Sequence, residues 1–116
     1  MVISKKLFIY SDGGAKNNPG PAGIGVVIYN QNNKLLCKLK KYIGLATNNQ
    51  AEYQAIIYAL KIAVKKYQPL EIIFYIDSEL VVRQLSGRYK VKNNNLAPLF
   101  QKVLALLLYA FCLFLK

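Results

Sequence analysis

Residues 47–77 read TNNQAEYQAIIYALKIAVKKYQPLEIIFYID, and the architecture follows from what this segment can become. From Asn49 to Tyr67 the pattern has helical period. Gln50, Gln54, Lys61 and Lys65 form one polar stripe, while Ala55, Ala59, Ile62 and Ala63 lie on another face. Pro69 stops the helix. Glu71–Ile76 is then a short apolar strand, bounded by Asp77. A strand reached by way of a helix implies a crossover, so this strand is expected to run parallel to the first strand of the chain.

Upstream, Leu7–Asp12 reads as that first strand, short and buried. Gly13 to Gly23 is a loop rich in Gly, Pro and Asn. Gly23–Tyr29 is a second strand, β-branched in its centre. Asn30-Gln31-Asn32-Asn33 is a strong turn signal. Leu35–Ile43 follows as a third strand, whose Lys38 and Lys40 alternate with Cys37 and Leu39, so one side faces water. Strands joined by such short links form an antiparallel meander. Downstream, Ser78–Leu85 is a short helix ended at Gly87, Asn93-Asn94-Asn95 is a loop, and Leu96 to about Leu108 is a final helix with Pro98 in its first turn. The expected fold class is α/β with a mixed sheet: strands 1–3 antiparallel, strand 4 parallel to strand 1, flanked by helices. One domain accommodates residues 1–116.

The chain carries sixteen Lys and Arg against five Asp and Glu, a net charge of +11. That charge attracts a polyanion, nucleic acid or anionic membrane; a simple lysine bias is the plainer alternative. No histidine is present, which excludes imidazole acid–base chemistry and His-bearing zinc sites. Cys37 and Cys112 form no metal spacing and read as thiols of a reducing cytoplasm. No signal peptide is expected, because the apolar run after Lys5 and Lys6 is too short. Val103–Leu115 is thirteen apolar residues without interruption, short of the roughly 18–20 that span a bilayer. No membrane partner and no obligate protein partner are expected. The segment is read as a buried helix, or as a helix running into a strand.

Three of the few carboxylates sit at element ends. Asp12 ends the first strand, Asp77 ends the fourth, and Glu52 lies in the first turns of the long helix. Each has an ordinary reading: Asp12 as a turn residue, Asp77-Ser78 as a helix N-cap, Asn49 with Glu52 as a capping box. Taken together they favour chemistry. Parallel neighbouring strands bring Asp12 and Asp77 to one sheet edge, where open α/β sheets bind ligands. Glu52 precedes Ala55, Ile56 and Ala59 by about one turn and faces the sheet. Converging anions coexist best around an oxygen-loving cation such as Mg²⁺ or Mn²⁺. Flanking the acids, Asn17-Asn18-Pro19-Gly20-Pro21 and Thr47-Asn48-Asn49 offer small amides and backbone N–H groups suited to minor-groove edges and 2′-hydroxyls.

Ser-Asp-Gly-Gly-Ala (11–15), Asn-Pro-Gly-Pro-Ala-Gly (18–23), Thr-Asn-Asn-Gln-Ala-Glu (47–52) and Tyr-Ile-Asp-Ser-Glu (75–79), in this order, resemble type 1 ribonuclease H over roughly residues 5–104. The resemblance implies a five-stranded ribonuclease H-like sheet of order 3-2-1-4-5. It implies metal-dependent hydrolysis of the RNA strand of an RNA–DNA hybrid, leaving 5′-phosphate and 3′-hydroxyl ends. Asp12, Glu52 and Asp77 would be the catalytic metal ligands of a two-metal Mg²⁺ or Mn²⁺ site. Gly13, Asn18, Thr47, Asn48 and Asn49 would contact the hybrid, Thr47 near the DNA backbone, with Lys90–Lys92 as a further phosphate contact. The chain departs from the family after residue 104. The family's fifth strand, histidine loop and fourth catalytic aspartate have no counterpart in an apolar segment 104–116, and no acid follows Glu79. The sequence therefore predicts a fifth strand and last helix missing or altered, one metal ligand short, as by truncation or frameshift. It predicts hybrid binding with impaired cleavage; the alternative is a non-catalytic hybrid-binding module on the same fold.

Overall fold

A computed structural model describes residues 5–116. Strand β1 (Lys6–Ala15) leads through a tight turn to β2 (Gly20–Asn30), and the turn Gln31–Lys34 leads to β3 (Leu35–Ala46). Helix α1 (Asn48–Ile62) continues as one π-helical turn (Ala63–Tyr67) and crosses to β4 (Glu71–Ile76). Then come α2 (Glu79–Leu85), α3 (Ala97–Leu106) and β5 (Phe111–Leu115). The sheet order is β3-β2-β1-β4-β5. β1–β2 and β2–β3 are antiparallel, while β4 runs parallel to both β1 and β5.

The mixed sheet follows from the crossover, as the sequence predicts. The first two strands are longer than their apolar runs. Gly13, Gly14 and Ala15 pair with Ile24, Gly23 and Ala22, and the Lys16 N–H donates to the Pro21 carbonyl at 2.9 Å. Ladder hydrogen bonds thus extend through glycines that local propensity assigns to a loop, because antiparallel pairing satisfies their backbone groups at no side-chain cost.

Of the expectation that the fifth strand is missing or altered, only the first alternative is corrected: a fifth strand is present. Phe111–Leu115 pairs in parallel with Glu71–Tyr75, and the apolar run is a helix running into a strand. β4 otherwise leaves a row of unpaired N–H and C=O groups, and a β-prone apolar segment is the best partner available. Phe114 then seats its ring 5.6 Å from Phe74 in the core.

Side chains alternate across the sheet. Leu7, Ile9, Val26, Ile28, Ile72, Phe74 and Phe114 face the helices and join Tyr53, Ile56, Leu60, Val81 and Val103 in one core cluster. Tyr53 donates to Gln84 Oε1 at 2.6 Å, a buried bond that ties α1 to α2. The opposite face carries Phe8, Tyr10, Val27, Tyr29, Tyr75, Leu113 and Leu115, and it is open: Tyr10 is 47% exposed and Leu113 45%.

Candidate active site

Register brings the first two carboxylates together. Ser11 of β1 is the parallel partner of Ile76 of β4, and the next residue on each strand is the acid, Asp12 and Asp77. Both acids are exposed at the same sheet edge. The third is brought by backbone contact. A Cβ on Gly13 would lie 2.2 Å from the Ala51 carbonyl oxygen and 2.7 Å from the Glu52 nitrogen, so only glycine lets β1 approach the first turn of α1 this closely.

Two caps leave the acids free. The N-cap of α1 is Thr47, whose Oγ1 accepts from the Gln50 N–H at 3.1 Å while Gln50 Oε1 accepts from the Thr47 N–H at 2.8 Å. This capping box displaces the Asn49–Glu52 alternative, and Glu52 has no cap to serve. At α2 the cap is Ser78, whose Oγ accepts from the Val81 N–H at 3.2 Å, so Asp77 is not spent there either. The short polar side chains nearest each helix start take the orphan N–H groups.

Glu52 is 8% exposed, and its Oε2 is buried with no hydrogen-bond partner. Its carboxyl is pushed up from 4.5 to about 7, chiefly by burial and then by the negative charge of Asp12; the Gly13 amide offsets part of this, and Asp77 adds to it. The three acids are thus close enough to act on one another electrostatically. Among the described residues, however, no three His, Cys, Asp or Glu side chains lie close enough to enclose an ion. The donor set fits a hard divalent cation: every donor is a carboxylate oxygen, one is buried and unpartnered, and the local excess of negative charge needs neutralising.

The amide loops converge beside the acids. Asn18 Oδ1 accepts from the Asn48 N–H at 2.9 Å, and Asn48 Oδ1 accepts from the Ala15 N–H at 2.7 Å. Their oxygens are occupied by the fold, so what each amide retains is its NH₂ donor pair, suited to groove acceptors and 2′-hydroxyls. Asn18, Thr47 and Asn49 also line a polar cavity of about 210 Å³ together with Asn93 and Asn95. Those last two were legible only as a loop. The Asn93-Asn94-Asn95 run is visible in the sequence, but its closure onto Thr47 is a tertiary event. Lys90 and Lys92 are exposed and outside this cavity lining.

A family model described as reverse transcriptase-like matches residues 10–112. The bifunctional protein Rv2228c of Mycobacterium tuberculosis is 45% identical over 102 residues, 87% of this chain and 28% of that protein. The chain thus spans under a third of the length of that curated relative. The structure of the N-terminal RNase H domain of Rv2228c, a fusion with maltose-binding protein, superposes with a TM-score of 0.90 at 41% identity, covering 97% of this chain and 81% of that one. The crystal structure of LC11-RNase H1 in complex with an RNA/DNA hybrid superposes with a TM-score of 0.86 at 39% identity, covering 95% and 85%.

Proposed function

The chain belongs to the type 1 ribonuclease H family, and from that premise we propose that it binds RNA–DNA hybrids and hydrolyses their RNA strand with a divalent cation. The observation that carries this reading is Glu52: a buried carboxylate with an unpartnered oxygen, beside Asp12 within β1 and Asp77 just after β4. Asp12, Glu52 and Asp77 would hold Mg²⁺ or Mn²⁺. The bound cation would supply activation of water and charge stabilisation at the scissile phosphate. The chain's other residues position the substrate. Asn18, Asn48 and Asn49 donate to minor-groove edges and 2′-hydroxyls, the Gly13 amide lies beside the acids, and Thr47 with Asn93 meets the phosphate backbone.

The non-catalytic reading is favoured by one observation. Among the described residues no three carboxylates lie close enough to enclose an ion. Cleavage by the 116-residue chain is therefore expected to be weak relative to its binding. Among the described residues no helix is long and apolar enough to cross a membrane. Free Cys37 and Cys112 suit the reducing cytoplasm proposed as its compartment.

The test uses an end-labelled hybrid with Mg²⁺, Mn²⁺ or EDTA, for the parent and Asp12→Asn. Binding by both, with metal-dependent cutting by the parent alone, supports the nuclease. Binding by both with no cutting under any metal assigns the non-catalytic module. Equal cutting by both removes the carboxylate assignment.

A further inference from the structure

We propose that the buried hydrogen bond from Tyr53 to Gln84 is a positioning device for the carboxylates, setting where Asp77 stands relative to Glu52; this rests on the metal-site reading above. The three acids are placed in different ways. Asp12 lies inside the β1–β2 ladder, opposite Gly25, and Glu52 is brought to it by the backbone contact of Gly13 with Ala51. Asp77 has no such fixture. The β1–β4 ladder ends at Ser11 and Ile76, so Asp77 stands just past the last paired position, exposed, in the link between β4 and α2. Its neighbour Ser78 is the cap of α2, so Asp77 goes where that helix goes.

The buried residues of α2 are Val81 and Gln84, spaced so that both lie on one face of the helix. Val81, with the half-buried Val82 and Leu85, packs in the apolar cluster, where contact is non-directional. Gln84 makes the directional contact. It is 5% exposed, and its Oε1 accepts from the hydroxyl of the fully buried Tyr53 at 2.6 Å. Tyr53 is the residue after Glu52 on α1. One bond thus joins the backbone that carries one acid to the helix that leads from the other. Stability alone does not require it. A polar pair in this core gives up its hydration, and two apolar side chains of the same shape serve about as well. What an apolar pair lacks is the fixed length and angle that hold α2, and Asp77 with it, in one place against α1.

Titration with Mn²⁺ alone, followed by the electron paramagnetic resonance of the free ion, tests this beside thermal unfolding in EDTA. The parent should bind Mn²⁺, and Asp12→Asn should lose that binding. Tyr53→Phe should lower Tm and weaken Mn²⁺ binding about tenfold. Adding Gln84→Met gives an apolar pair of matching size; Tm should return close to that of the parent, while Mn²⁺ binding stays as weak as in Tyr53→Phe. Ile28→Val, a small loss in the same core on β2, should lower Tm and leave Mn²⁺ affinity unchanged. A double variant with the parent's affinity overturns the proposal, since the bond then serves the core alone. So does an Ile28→Val variant weakened as much as Tyr53→Phe. If the double variant does not fold, Tyr53→Phe against Ile28→Val decides by the same comparison. A parent that binds no Mn²⁺, or an Asp12→Asn variant that binds it as well as the parent, overturns the metal-site reading itself and this proposal with it.

Discussion

A Cβ built on Gly13 would stand 2.2 Å from the carbonyl oxygen of Ala51. The contact is backbone to backbone, so no rotamer change relieves it. Gly13→Ala must therefore push β1 and the start of α1 apart. Overpacking of this kind costs about 1–3 kcal/mol. Gly14→Ala is the control, since its nearest contact is the Asn48 side chain at 3.8 Å. Urea unfolding should show a lower midpoint for Gly13→Ala and little change for Gly14→Ala. Hybrid cleavage should fall further in Gly13→Ala than its stability loss accounts for, because Glu52 is moved from Asp12.

Glu52 makes the metal-free protein less stable as pH rises. Its folded carboxyl titrates at about 7 rather than 4.5, so the folded state binds the proton more tightly than the unfolded chain. The stabilisation is full below pH 4.5 and lost as pH climbs through 7. Glu52→Gln abolishes this dependence. In EDTA at about pH 8 it should be more stable than the parent, by up to about 3 kcal/mol. Urea midpoints measured across that pH range check it; parallel curves for parent and Glu52→Gln would contradict the burial argument.

Divalent cation should reverse the same penalty. A cation that binds only the folded state stabilises by about 2.7 kcal/mol at one hundred times its dissociation constant. Mg²⁺ or Mn²⁺ added near neutral pH is expected to raise Tm in the parent, and much less in Asp12→Asn or Asp77→Asn. Thermal scans with Ca²⁺-free Mg²⁺ and with EDTA give the comparison.

The Thr47 cap links helix stability to the amide loops. Thr47→Ala loses the side-chain half of the capping box, worth about 1 kcal/mol. Asn48, which follows the cap and holds both Asn18 and Ala15, loses its fixed position. Hybrid affinity should fall in Thr47→Ala and be largely retained in Thr47→Ser, which keeps the cap. Equal affinities for the two would detach the amide loops from binding.

Strand β5 is anchored from one side. Phe114 is 7% exposed and packs on Phe74, whereas Leu113 is 45% exposed on the open face. Phe114→Ala should cost about 3–5 kcal/mol. Leu113→Ala should cost far less. Similar losses for both would mean that β5 does not pair with β4 in this register.

Much of the scaffold was legible because its signals are local. The helical period over 49–67, the stop at Pro69 and the short apolar runs ending in Asp12 and Asp77 fix element types by side-chain periodicity alone. The crossover from α1 to β4 then fixes the parallel pairing. Less local features escaped. The extension of β1 and β2 through Gly13 and Gly23 depends on cross-strand pairing, and the capping of α1 fell to Thr47 and Gln50 where Asn49 and Glu52 had equal spacing.

For the candidate site, the sequence by itself determined the residue types on offer: three carboxylates at the boundaries of apolar runs, amides beside them, and no imidazole. Residue chemistry and strand ends need no partner to be read. Only the tertiary structure decided that Glu52 is buried with an unpartnered oxygen, that Asn93 closes onto Thr47, that Phe111–Leu115 completes the sheet, and that Tyr53 meets Gln84. Each depends on contacts between residues far apart in the chain. Burial, register and exposure are properties of such pairs, and a linear pattern carries no record of them.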